Sequence, residues 1–107
     1  MKLFLDTANV DQVREVASWG VLDGVTTNPS LVLKEGKDFQ KTVLEMCDLV
    51  PNVSAQVTAT DAGGMIKQGE EYAGWHKNVV VKVPMTTEGL KALTHFAKQK
   101  NRTNVTL

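Results

Sequence analysis

Val79-Val80-Val81-Lys82-Val83-Pro84 sets four valines and a proline around a single lysine. A run this rich in β-branched side chains reads as a strand, and one without a polar face reads as a buried strand. Side chains alternate across a strand. Val79, Val81 and Val83 therefore share one face, and Val80, Lys82 and Pro84 share the other. Lys82 is aimed into an interior, near the C-terminal end of its strand. An unpaired buried ammonium is costly, so such a lysine is either paired or driven toward its neutral form. A neutral amine is a nucleophile.

Four further stretches read as strands when the same rules are carried outward. They are Leu3-Phe4-Leu5-Asp6, Gly24-Val25-Thr26-Thr27-Asn28, Val53-Ser54-Ala55-Gln56-Val57-Thr58 and Thr103-Asn104-Val105-Thr106-Leu107. Helical patterns lie between them. Asn9 and Gln12 resemble a capping box before Val10, Val13 and Val16, and Gly20 marks the stop. Gly36 and Asp38 introduce a stripe of Phe39, Val43, Met46 and Val50. Thr60-Asp61 opens a third helix with Met65 and Ile66, and Thr86-Thr87-Glu88 a fourth with Leu90, Leu93 and Phe96. The order is β-α four times and then β. Such alternation implies a parallel sheet covered by helices. A doubly wound sheet and part of a (β/α)8 barrel both satisfy it.

Parity separates the two. With the apolar set of each strand turned toward helices, the other set is Phe4 and Asp6; Thr26 and Asn28; Ser54, Gln56 and Thr58; Lys82; Asn104 and Thr106. That set is mostly polar. A doubly wound sheet wants both faces apolar, whereas a barrel with a site at its C-terminal mouth wants this division. The expected fold is an α/β TIM barrel, of which residues 1–107 form one partial domain with five strands and four helices. The assignment depends on register, because a one-residue slip inverts a strand.

The chain has 107 residues, 42% apolar and 22% charged, with formal net charge zero. Zero net charge argues against nucleic acid and anionic membranes as partners. The one cysteine, Cys47, forms no internal disulfide, and a cytoplasmic location is expected. No stretch approaches a membrane span. His76 and His95 lack metal-ligand spacing, so no metal and no cofactor are expected.

The inward set contains an amine, a carboxylate, amides and hydroxyls, which suits a polyhydroxylated carbonyl substrate. A buried lysine amine attacks such a carbonyl to give an imine, an electron sink for carbon–carbon cleavage. Asp6 is the only inward carboxylate, and so the candidate acid/base; a helix-entry role is its structural alternative. Gln56 and Thr106 suit holding a water, and Asn28 and Asn104 suit substrate hydroxyls. Thr27 faces outward and reads as turn chemistry before Pro29.

Phe4-Leu5-Asp6-Thr7-Ala8, Gly24-Val25-Thr26-Thr27-Asn28-Pro29-Ser30, Ser54-Ala55-Gln56-Val57, Val80-Val81-Lys82-Val83-Pro84-Met85 and Thr103-Asn104-Val105-Thr106-Leu107 together resemble, in order, the strand motifs of the small transaldolase-like class I aldolases. The resemblance implies Lys82 as the Schiff-base lysine and Asp6 as the proton carrier. It implies Thr26, Asn28 and Asn104 as substrate-binding residues, and Gln56 with Thr106 around the catalytic water. The implied reaction, part of the pentose phosphate pathway, moves a dihydroxyacetone unit from a ketose phosphate to an aldose phosphate. Transaldolases usually carry glutamate where Gln56 stands. Glutamine there resembles fructose-6-phosphate aldolase, which releases dihydroxyacetone, while Asn104 resembles transaldolase. The balance favours transaldolase, with the aldolase and a non-catalytic half-barrel as alternatives. The resemblance also implies sugar-phosphate substrates, a homo-oligomer, and three further βα units carrying the phosphate grip. With five strands of eight, the expectation is an open, wet lumen and weak or no activity, unless two or more copies close a barrel.

Overall fold

A computed structural model describes residues 2–27, 29–99 and 103–106, the last three by backbone alone. Five strands form one sheet: β1 (Phe4–Asp6), β2 (Gly24–Thr27), β3 (Val53–Gln56), β4 (Val79–Pro84) and β5 (Thr103–Thr106). All pairings are parallel and the spatial order is β1-β2-β3-β4-β5. Strand β3 pairs only as far as Gln56, two residues short of the alternating stretch.

The order decides the architecture. Parallel crossovers are right-handed, so when each new strand is added on the same side, every helix lands on the same face. A doubly wound sheet needs a reversal of strand order, and there is none among the described strands. The fold is α/β and consistent with part of a TIM barrel.

The helices are α1 (Val10–Ala17), α2 (Pro29–Lys34), α3 (Phe39–Cys47), α4 (Ala62–Trp75) and α5 (Thr87–Lys98). Each of the four crossovers is helical, as expected, but the second carries two helices, making five. In the sequence Pro29 reads as the exit of the second strand, because it ends pairing. Proline is equally suited to the first turn of a helix, where its missing N–H has no partner to lose. The turn closes at Gly36, which has φ +71° and takes the left-handed conformation glycine tolerates.

Caps fix the other helix starts. Asn9, Asp38, Asp61 and Thr86 accept from the backbone N–H groups of Gln12, Lys41, Gly64 and Gly89. The capping box at Asn9 is only half made. Gln12 Oε1 accepts instead from Thr7 Oγ1 at 2.9 Å, and Thr7 Oγ1 accepts from the Asn9 N–H at 3.0 Å.

The core lies between the sheet and the helices. Val25, Val53, Ala55, Val57, Val79, Val81 and Val83 meet Val13, Val43, Met46, Met65, Ala92 and Phe96 there. The parity reading therefore holds for these strands. Gly69 lets α4 approach closely enough for the Phe96 ring and Val81 to lie where a Cβ would go. At the N-terminal ends of the strands, asparagine amides tie the loops: Asn52 Nδ2 donates to the Asp23 carbonyl at 3.0 Å. Asn78 Nδ2 donates to the carbonyls of Cys47 and Val50 at 2.9 and 3.2 Å.

Candidate active site

The face away from the helices carries Asp6, Thr26, Ser54, Gln56, Val80 and Lys82, because their strand neighbours Leu5, Val25, Ala55 and Val81 pack on the helix side. Ser54 and Val80 are buried, so the floor is closed. Gln56, Lys82, Thr26 and Pro84 are half-buried above it, and Asp6 is exposed on β1. The expected wet lumen is thus wet only in part: water reaches the edge strand and the mouth, not the floor.

Register gives two rows. Asp6 pairs with Thr26, Thr26 with Ser54, and Ser54 with Val80. Gln56 pairs with Lys82, and Lys82 with Asn104. Asp6 and Lys82 are three strands and two residues apart by pairing. Tilt alters their relative height. Barrel strands tilt by about 36°, and neighbouring strands lie about 4.8 Å apart. Each step to the next strand along the hydrogen bonds then descends about 3 Å, close to one residue's rise of about 3.3 Å. Three steps from Asp6 lead to Val80, so the position level with Asp6 on β4 is three residues further, at Val83. Lys82 is within one residue of it. At a closed barrel's tilt the same count puts Gln56 on β3 and the backbone of Thr106 on β5 at the height of Asp6. Alternate strands supply one layer, as in closed barrels. Lys82 and Thr26, on the even strands, sit half a layer below. Asn104 sits one full layer below Thr106.

Lys82 forms no ion pair among the described residues, and none joins it to Asp6. A structural Lys82–Asp6 bridge is therefore not what holds this lysine in place. Its backbone is held instead: the Lys82 carbonyl accepts from the Val57 N–H at 3.0 Å. Val81 and Val83, on either side, are fully buried.

Beyond Lys82, the strand runs into a tight turn. The Thr86 N–H donates to the Pro84 carbonyl at 2.9 Å, and the Gly89 N–H to Thr86 Oγ1 at 3.0 Å. Any Cβ at Gly89 would collide with that carbonyl. The start of α5 is thereby seated directly on the end of β4. Glu88 joins this helix to its neighbour, with Oε2 at 3.0 Å from Lys91 Nζ and Oε1 accepting from the Ala62 N–H at 3.4 Å. Those hydrogen bonds, with Lys91 foremost, hold the Glu88 carboxyl below its ordinary pKa.

The seven candidate residues fare unequally. Lys82, Gln56, Asp6 and Thr26 lie on one face, with Gln56 paired to Lys82 and Asp6 paired to Thr26. Asn104 and Thr106 occupy the matching register positions by backbone. Asn28 lies outside the described residues. Ser54, a member of the inward set without an evident chemical role in the sequence, is a buried floor residue beside the Gln56–Lys82 pair; its depth follows from register, which composition does not reveal. Thr27 is on the helix side, as its parity indicated. Its hydroxyl is buried without a hydrogen-bond partner among the described residues. Among the described residues no helix is long and apolar enough to cross a membrane, and no three His, Cys, Asp or Glu side chains are grouped to hold a metal.

The sequence that builds this face has close relatives. Residues 3–107 match the family described as Transaldolase/Fructose-6-phosphate aldolase. The chain is 59% identical to a protein of Brevibacillus brevis and 59% identical to one of a Roseiflexus species, each named "Probable transaldolase". A protein of Clostridium acetobutylicum with the same name is 56% identical. In each comparison all of this chain aligns with 50% of the relative. The chain thus spans about half the length of the curated relatives it matches. On a match covering nearly every residue, the chain belongs to the transaldolase/fructose-6-phosphate aldolase family.

Proposed function

We propose that Lys82 is the imine-forming amine of a transaldolase-type class I aldolase, with Asp6 as its proton carrier. The single observation that carries this reading is the Gln56–Lys82 register pair on the face opposite the helix-packed core, the face that also carries Asp6. Lys82 attacks the C2 carbonyl of a ketose phosphate such as fructose 6-phosphate, and the carbinolamine loses water to give the imine. The Asp6 carboxylate takes the proton of the C4 hydroxyl. The C3–C4 bond breaks, its electron pair moves into the iminium, and an aldose phosphate leaves. The resulting enamine attacks an acceptor aldehyde such as erythrose 4-phosphate, and Asp6 returns the proton. Water then hydrolyses the imine and frees the product.

Gln56 and Thr106 orient that water, and Thr26, Asn28 and Asn104 hold the hydroxyls of the dihydroxyacetone unit. An amide orients water but cannot take a proton from it. The proton must therefore go to Asp6. Gln56 also favours the second reading, release of dihydroxyacetone instead of transfer. Placement in the pentose phosphate pathway, a cytoplasmic setting and assembly as a homo-oligomer complete the proposal.

The test is turnover of fructose 6-phosphate with and without erythrose 4-phosphate. Transfer predicts product only with the acceptor, and release predicts dihydroxyacetone without it. Lys82→Met should abolish both. Turnover that survives this substitution contradicts the proposal.

A further inference from the structure

The ladder between β3 and β4 ends at the Val57 N–H, which donates to the Lys82 carbonyl at 3.0 Å. The next two backbone donors, on Thr58 and Ala59, have no strand to meet. Both are taken by one side chain of α4: Gln68 Oε1 accepts from the Thr58 N–H at 2.8 Å and the Ala59 N–H at 3.0 Å. The same amide donates from Nε2 to Thr58 Oγ1 at 2.7 Å. Among the described residues, the hydrogen bonds of this exit come from Lys82 and Gln68. The loop is pinned again just downstream, where Asp61 caps α4 and Glu88 accepts from the Ala62 N–H.

We propose that Gln68 is a positioning residue for the reaction: its amide extends the β3 ladder by side chain and holds Gln56 in register with Lys82. The inference rests on the reading of Lys82 as the imine-forming amine. Gln56 lies two residues before Thr58, with only Val57 between. A shift of the exit moves Gln56 along β3 relative to its register partner. Displacements near 1 Å at a reacting centre cost roughly 100-fold in rate. Gln68 touches no reacting atom, and its effect passes wholly through the β3 backbone.

An acceptor oxygen is what the two N–H groups need, so Gln68→Glu retains the clamp and Gln68→Leu removes it. Thr58→Val deletes only the contact between Gln68 Nε2 and Thr58 Oγ1. The experiment is borohydride trapping of the protein with fructose 6-phosphate. Adduct on Lys82 is followed by peptide mass spectrometry as a function of sugar concentration, with thermal melts confirming that each variant is folded. The proposal expects the maximal trapping rate of Gln68→Leu to fall at least 10-fold, with the half-saturating sugar concentration unchanged. Gln68→Glu should restore the rate to within about 3-fold, and Thr58→Val should leave it unaltered. Adduct forming equally fast in wild type and folded Gln68→Leu overturns the positioning role alone. A rate that falls in both Gln68 variants overturns it too, since the acceptor oxygen is then not what matters. Absence of adduct from the wild-type protein overturns the parent reading and this one with it.

Discussion

Gln56 and Lys82 are register partners on adjacent parallel strands, both half-buried on the face turned away from the helices. Paired positions on neighbouring strands are about 4.8 Å apart, within reach of a shared water or a single substrate carbon. Beneath them Ser54 and Val80 close the floor, and behind them Val81 and Val83 anchor β4 in the core. The lysine is therefore held by its neighbours' packing, not by an ion pair of its own.

Glu88 gives the protein an acid-sensitive contact. Its carboxyl is held below the ordinary glutamate value of 4.5 by hydrogen bonds from Lys91 and the Ala62 N–H. The folded state thus binds this proton less tightly than the unfolded chain. The contribution is complete above pH 4.5 and is lost as pH falls below it. Glu88→Gln should lower the urea midpoint slightly at neutral pH and leave it nearly unchanged in acid. An equal loss at both pH values would place the effect elsewhere than in the carboxylate.

Thr27 carries a buried hydroxyl with no partner among the described residues and is 1% exposed. Such a group retains its desolvation cost, about 1–3 kcal/mol, with nothing to offset it. Thr27→Val replaces it by a methyl of similar size. The substitution should stabilise the protein by about 1 kcal/mol and raise Tm by roughly 5 °C. A fall in Tm on calorimetry would mean that the hydroxyl is satisfied after all.

Gly69 and Phe96 should be energetically coupled. A Cβ at Gly69 meets the tip of the Phe96 ring and Val81. In an open helix, alanine at such a position would gain about 1 kcal/mol over glycine. Here overpacking should outweigh that by about 1–3 kcal/mol. In a Phe96→Leu background the ring tip is gone, and Gly69→Ala should become neutral or stabilising. A double-mutant cycle by urea unfolding measures the difference. Additive effects would show that the two helices are not in close contact at this point.

The strands and their parity were legible because valines at 25, 53, 79, 81 and 83 leave little choice about which face seeks the helices. Asp61 and Thr86 likewise declared their helices through cap chemistry. Three features could not be read. The helix at Pro29–Lys34 is too short for periodicity, and its proline serves a helix start as well as a strand end. The pairing of Gln56 with Lys82 is a matter of register between strands, which no single strand encodes. The Gln68 clamp joins residues ten apart through a side-chain amide on an otherwise ordinary helix face. Lys82 itself stood out for a local reason: it is the one charge in an otherwise apolar strand.

Reductive trapping of Lys82 tests the central claim most directly. With fructose 6-phosphate and borohydride, the folded protein should gain one hexose phosphate or dihydroxyacetone adduct, found by peptide mass spectrometry on Lys82 and lost in Lys82→Met. A folded protein that gains no adduct, or gains it on another lysine while Lys82 stays unmodified, would contradict the account.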